Sequence, residues 1–226
     1  MSGLRSAGRA EERARERAGR AGDVSVPAAR PEAAGQVAGR ATRVLGIGGT
    51  LRPGSTSELA LRHALRLADQ MGATTELITA QMLELPMYDP ANAGAPGAQA
   101  LIEAARSADA VIIATPGYHG NMSGLVKNAL DYLQELAGDD APYLHGRAVG
   151  CIVTAAGWQA GVTSLASLRA TVHALRAWPT PLGVVINSAA PPFGPDGTPV
   201  DPAVAGQLRE MVHQVVSFTP VMSRAS

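Results

Sequence analysis

The sequence is poor in the residues that would commit it to several kinds of chemistry. It holds one cysteine, Cys151, which excludes an internal disulfide framework and a cysteine-based metal site. Cys151 lies in an apolar run between Val149 and Val153 that reads as a strand, so a buried, inert thiol is expected rather than a nucleophile. Charge is scarce, at 17% of residues, and sums to +0. Such a balance gives no global pull toward nucleic acid or an anionic membrane. No apolar stretch approaches the ~20 residues of a membrane span. The opening Met1-Ser-Gly-Leu-Arg lacks the apolar core of a secretory signal, so a cytoplasmic location is expected. No Gly-Lys-Ser or Gly-Lys-Thr follows a glycine loop, which argues against a nucleoside triphosphatase.

What is present divides the chain in two. Residues 1–41 are rich in Arg, Ala and Gly and nearly free of large apolar side chains. A segment of this kind cannot bury enough surface to offset the entropy of ordering, and a flexible extension is expected. Glu11, Glu12, Glu16, Asp23 and Glu32 dilute its arginines, which weakens the reading as a nucleic-acid arm. Residues 42–226 form the expected domain, long enough for a sizeable core.

From Thr42 onward, short apolar runs alternate with helical periodicity. Strands are expected at Val44 to Ile47, Thr74 to Thr79, Ala110 to Thr115, Ala148 to Thr154 and Leu182 to Asn187. Helices are expected over 56–71, 97–107, 125–136 and 162–176, with a last one carrying Val204, Leu208, Met211, Val212 and Val215 on one face. The uniformly apolar Ala110-Val-Ile-Ile-Ala reads as a strand covered on both faces, as in a parallel sheet. The implied fold class is α/β: a three-layer sandwich around a five-stranded parallel sheet in the order 2-1-3-4-5. Ligands bind beyond the carboxyl ends of such strands, at the switch point between strands 1 and 3. The three Gly-rich loops 48–57, 116–121 and 155–161 would converge there.

The first of these loops is the most informative. Val44 to Ile47 runs into Gly48-Gly-Thr-Leu-Arg-Pro-Gly-Ser-Thr-Ser57, and a helix opens with Glu58 in its first turn. A helix N-terminus offers unpaired N–H groups and the positive end of the macrodipole, which favour an anion. Arg52 adds a planar fork suited to phosphate oxygens. The plainer reading is an ordinary strand-to-helix loop with a Ser or Thr cap.

Longer stretches carry a family resemblance. Gly49-Thr-Leu-Arg-Pro-Gly-Ser-Thr-Ser57 resembles the G-S-x-R-x-x-S-x-N phosphate loop of the NAD(P)H-dependent FMN reductases, which have a flavodoxin-like fold. Thr115-Pro-Gly-Tyr-His-Gly-Asn-Met-Ser-Gly-Leu-Val-Lys-Asn-Ala-Leu-Asp-Tyr132 is similar to the family's T-P-E-Y-N-x-x-x-P-G-x-L-K-N-A-I-D-W signature. Gly117, His119 and Ser123 stand where Glu, Asn and Pro are usual. Leu85-Pro-Met-Tyr88 matches the family's L-P-x-Y segment. The resemblance implies that Thr50, Arg52, Ser55, Thr56 and Ser57 hold the phosphate of FMN. It places Pro116, Gly117, Tyr118, His119 and Gly120 along the isoalloxazine, with Gly157 and Trp158 edging the ring.

It further implies hydride transfer from NADPH or NADH through FMN, without a catalytic acid, base or nucleophile supplied by the chain. The acceptor would be free flavin, a quinone or another small molecule, and a flavin-dependent monooxygenase could receive the reduced flavin. Two other readings fit the same residues: a flavodoxin-type electron carrier without NAD(P)H oxidation, against which the zero net charge and Arg52 argue, and a flavin-free binding protein of the same fold. The apolar residues of helix 125–136 (Leu125, Ala129, Tyr132, Leu133 and Leu136) suggest a homodimer or homotetramer. Lys127, Asn128 and Asp131 read as helix surface or subunit contacts rather than catalysts, and Trp178 as core or interface.

Overall fold

In the computed structural model the described residues are 40–92, 94–95 and 97–222. The expected extension, residues 1–41, lies outside them up to residue 39. From Arg40 the polypeptide alternates strands and helices: β1 (Arg43–Gly48), α1 (Thr56–Gln70), β2 (Thr74–Ile78), α2 (Ala98–Ser107) and β3 (Ala110–Tyr118). There follow β4 (Asn121–Met122), α3 (Gly124–Asp131), β5 (Ala148–Ala155), α4 (Trp158–Ala174), β6 (Trp178–Pro179), β7 (Val184–Asn187) and α5 (Pro202–Met222). The sheet runs β2-β1-β3-β5-β6, with β7 also on β5 and β4 on β3. All pairings are parallel except β3 with β4.

The expected order 2-1-3-4-5 is present in the long parallel strands, but the sheet has seven strands rather than five. Two local causes account for the extra pieces. The fifth strand position is split into β6 and β7. Pro181 lies in the gap and has no N–H to give, and the Leu182 amide donates to Gln214 Oε1 on α5 instead (3.0 Å). β3 continues past Thr115 into a hairpin, with Tyr118 paired to Asn121. Its two loop residues, His119 (φ 52°) and Gly120 (φ 82°), are both left-handed. That is the mirror-image turn that suits tightly paired strands.

Alternation along β3 builds two cores. Val111 and Ile113 join the cluster under α2, α3 and α4, while Ala110, Ile112 and Ala114 join the one under α1 and α5. The aligned residues of α5, Leu208, Met211, Val212 and Val215, are all buried there. Cys151 is buried on β5, and desolvation pushes its thiol up to about 12, so the thiolate is not available near neutral pH.

Helix 125–136 is shorter than expected. It is α3 followed by a 3₁₀ turn, Tyr132–Leu136. Its apolar residues are spent inside the protomer, since Ala129, Tyr132, Leu133 and Leu136 are all fully buried. Asn128 is not surface either. Its side chain accepts from the Tyr88 amide (2.8 Å) and donates to the carbonyls of Leu85 (3.3 Å) and Pro86 (2.9 Å). It thereby clamps the irregular 85–88 segment onto α3. Tyr132 adds a bond to Pro86 O (3.1 Å) and an edge-on contact with the Tyr88 ring at 5.2 Å. Trp178 is in neither core; it is half-exposed on the edge strand.

Asn128→Ala removes three hydrogen bonds from a buried position, so it should cost about 2–3 kcal/mol of folding stability. Urea denaturation of the two proteins measures this.

Candidate functional site

β1 ends where it presses hardest against β3. Gly48 has φ 138°, and a Cβ built on it would lie 1.9 Å from the Ala114 carbonyl oxygen, so no other residue fits. The Gly49 amide then donates to the same oxygen (3.1 Å). This contact turns the chain outward over the strand ends, and α1 begins eight residues after Gly48.

Ser55 is the N-cap of α1, with its Oγ accepting from the Glu58 amide at 3.4 Å and lying 3.4 Å from Ser57 Oγ. Both contacts are long for bonds to a hydroxyl. The amides of Thr56 and Ser57 open the helix with no intrahelical acceptor. Glu58, the one acid of the first turn, is engaged elsewhere: its carboxylate accepts from the Gly54 amide (3.0 Å) and from Arg62 (2.8 Å). Arg52 makes no ion pair among the described residues. The local field at the start of α1 is therefore positive, from Arg52 and from the helix dipole.

Opposite this loop stands the end of β3. Thr115 is buried, and its Oγ1 accepts from the Ser123 amide (3.0 Å) while donating to the carbonyl of Pro116 (3.0 Å). Ser123 in turn caps α3, accepting from the Val126 amide at 3.2 Å. The N-termini of α1 and α3 thus face one cleft of about 780 Å³, a size ordinary for a small-ligand site.

The cleft gathers Thr50, Arg52, Ser55, Thr56, Ser57, Pro116, Gly117 and Tyr118 from the residues expected by sequence. It does not gather His119, Gly120, Gly157 or Trp158. His119 and Gly120 form the hairpin turn, which is tied back to α4 by Ser164 Oγ donating to the Asn121 carbonyl (3.1 Å) and by Ser167 Oγ to Asn121 Oδ1 (2.7 Å). Gly157 is the N-cap of α4 and Trp158 its first residue, 61% exposed. α4 starts four residues earlier than its apolar stripe suggests, so this segment is helix rather than loop. Gly117 has a clear packing reason: a Cβ there would lie 2.8 Å from Ser164 Oγ.

The lining also includes Ser123, which stands where the family's Pro is usual, and Leu51, Gly124, Leu125, Thr154, Ala155, Ala156 and Ser188, which the sequence does not mark as site residues. A Ser at the end of a strand or helix carries no signal by itself. Ser188 follows β7, and its amide extends that pairing by donating to the carbonyl of Ala155 (2.9 Å), itself in the lining. Among the described residues no cluster of His, Cys, Asp and Glu could hold a metal ion, and no helix is long and apolar enough to cross a membrane.

Comparison with known proteins places this geometry in context. Residues 42–191 match the model of the NADPH-dependent FMN reductase family. An NAD(P)H-dependent FMN reductase of Pseudomonas aeruginosa is 31% identical over 176 residues, covering 76% of this chain and 90% of its own. An NADPH azoreductase of a Bacillus species is 28% identical over 167 residues, covering 73% and 88%. Among solved structures, the flavoenzyme NAD(P)H:(acceptor) oxidoreductase FerB of Paracoccus denitrificans superimposes with a TM-score of 0.65 at 21% identity. That match covers 82% of this chain and 98% of FerB, and it establishes a shared fold. With the family model spanning most of the chain and the α/β order in agreement, this protein belongs to the NADPH-dependent FMN reductase family.

Proposed function

We propose that the cleft holds FMN with its phosphate at the N-terminus of α1, bound by the amides of Thr56 and Ser57, the hydroxyls of Thr50, Ser55 and Ser57, and the Arg52 guanidinium. What carries the reading is one observation: among the described residues, the start of α1 presents two unclaimed amides beside an arginine with no ion pair, while the acid of its first turn, Glu58, is occupied by Arg62 and Gly54. A dianion fits that donor set, and a neutral or cationic group does not.

FMN supplies the hydride chemistry between NAD(P)H and the acceptor. The chain's own contribution is position and charge. Arg52 and the helix end hold the anionic tail. The backbone of Pro116 and Gly117 edges the cleft at the end of β3, and Tyr118, 56% exposed, stands at its mouth. His119, Gly120, Gly157 and Trp158, expected along the ring from the resemblance, belong to the second tier of this proposal: they flank the cleft from the hairpin and the first turn of α4. No side chain in the lining is a carboxylate, a thiol or an imidazole. This suits a reaction in which a nicotinamide and then a planar, electron-poor acceptor use the same open face.

The acceptor class proposed is small and aromatic: free flavin, a quinone or an azo compound, the last two named for relatives of 27% and 28% identity. Transfer of reduced flavin to a flavin-dependent monooxygenase is compatible with the same open mouth. Assembly as a homodimer or homotetramer is part of the proposal. It would use exposed Tyr118, Trp158 and Val162 near the cleft, since the apolar face of α3 is already covered.

Three outcomes are expected. Arg52→Ala should weaken FMN binding by about 1–3 kcal/mol, the scale of a charge-assisted hydrogen bond; isothermal titration giving an unchanged Kd would place the phosphate elsewhere. Purified protein should oxidise NADPH or NADH with FMN, a quinone or an azo dye as acceptor, whereas an electron carrier would show no steady-state NAD(P)H consumption. Light scattering should give a dimer or tetramer mass, and a monomer would remove the assembly from the proposal.

A further inference from the structure

The β3–β4 hairpin carries Tyr118 to the mouth of the cleft, and it is a small structure. Two residue pairs form it, Gly117 with Met122 and Tyr118 with Asn121. An isolated hairpin is marginal in water, so this one takes its place from what it leans on. That support is α4. Ser164, fully buried, donates from Oγ to the Asn121 carbonyl (3.1 Å). Ser167, three residues on and so on the same side of the helix, donates to Asn121 Oδ1 (2.7 Å). The same Oδ1 accepts from the Met122 amide (2.8 Å). Both tethers thus end on one residue, Asn121, and that residue stands directly opposite Tyr118 in the register.

Gly117 permits this seat. A Cβ there would lie 2.8 Å from Ser164 Oγ and 3.3 Å from Ser164 Cβ, so a side chain at 117 would displace Ser164 from its bond to Asn121. The Glu usual at this position of the signature would do so. Asn121 falls at a position which that signature leaves open, and Ser164 and Ser167 lie outside the quoted motifs. The tether is therefore an arrangement of this chain's own residues, tied to its departure at 117. Neither Asn121 nor Ser167 lines the cleft.

We propose that Asn121 and Ser167 are positioning residues whose hydrogen bond holds Tyr118 aside at the mouth, keeping the cleft open to the nicotinamide and the acceptor. The inference rests on the proposed occupancy of the cleft and adds a determinant of access to it. Without the Ser167 bond the hairpin is free to swing, and the Tyr118 ring spends part of its time across the mouth. An entering molecule has to wait for the open arrangement, so its apparent affinity falls by the open fraction. Once it is seated, the ring is excluded and turnover proceeds as before. The phosphate site at α1 lies on the other wall and does not feel the change.

The test is steady-state oxidation of NADPH with FMN and a quinone by the wild type, Ser167→Ala, Ser167→Thr, Tyr118→Ala and the Tyr118→Ala/Ser167→Ala pair. Ser167→Ala should lower kcat/KM for NADPH and for the quinone by about threefold to tenfold, the worth of one neutral hydrogen bond. Its kcat and its Kd for FMN should stay within about twofold of the wild type, as expected when only the open fraction changes. Ser167→Thr keeps the hydroxyl and should restore kcat/KM. In the Tyr118→Ala background, Ser167→Ala should have no further effect, which a merely structural serine would not produce. Hydrogen exchange of the peptide spanning residues 116–123 gives a readout independent of activity: it should quicken in Ser167→Ala and not in Ser167→Thr. Unchanged kcat/KM or unchanged exchange in Ser167→Ala, an equal loss in Ser167→Thr, or an equal loss with Tyr118 removed each overturns the tether, leaving the flavin site standing. Wild-type protein that binds no FMN overturns the occupancy of the cleft together with it.

Discussion

The approach of Gly48 to the Ala114 carbonyl sets the rest of the molecule. Adjacent parallel strands lie ~4.8 Å apart, and a chain leaving one of them over its neighbour normally has to clear the neighbour's backbone with a Cβ. Gly48 has none, so β1 turns while still against β3, and Gly49 donates to the oxygen that a Cβ would have struck. Loop 50–55 therefore stays low over the strand ends. α1 starts beside the carboxyl edge of β3 instead of beyond it, and the amides that open the helix face the cleft. A bulkier residue at 48 would lift the loop, and the field of α1 would then point into solvent.

The other wall is held by hydroxyls. Thr115 bridges the end of β3 to Ser123, and Ser123 caps α3. One buried threonine thus fixes both the hairpin and the helix that follows it. Asn128, one turn further along α3, holds Leu85, Pro86 and Tyr88. The Tyr88 hydroxyl donates to Glu135 (2.7 Å), and this bond, with burial, pushes its pKa up to about 12. The L-P-x-Y segment and the lysine-asparagine segment of α3 are therefore one structural unit, joined across about forty residues of sequence by hydrogen bonds of the Asn128 side chain. They brace the wall of the cleft without entering it.

The parts of this arrangement that were legible in the sequence are the local ones. Val44 to Ile47 and Ala110 to Ala114 are apolar runs whose burial depends on composition alone. The Gly, Ser and Arg of loop 48–57 signal a helix start within a dozen residues. What escaped was set by how short segments turn, where a helix starts, and which distant segment a side chain meets. The resemblance places His119 along the ring, and the pairing of Tyr118 with Asn121 puts residues 119 and 120 in a reverse turn. Trp158 read as loop because the apolar stripe of α4 begins only after its exposed first turn. Asn128 read as surface, since an amide on a helix declares its partners only when segment 85–88 is folded against it.

The edges of the sheet bear on how the molecule can meet others. On β6 the amides of Trp178 and Thr180 point inward, donating to Arg147 O (2.8 Å) and Val149 O (3.0 Å). Alternation then puts positions 179 and 181 on the outward side, and both are proline. That edge has no outward N–H along residues 178–181, so another strand cannot extend the ladder there. The opposite edge, β2, shows solvent Thr74, Thr75 and Glu76, with a charge where a flat apolar strand would invite pairing. Association by sheet extension is thus disfavoured at β6 and at β2. A contact between copies at those two edges would have to use side-chain surfaces, and the large exposed apolar groups near the cleft include Leu51, Tyr118, Trp158 and Val162. Self-association on that surface would narrow the mouth of the site, coupling assembly to what the cleft admits.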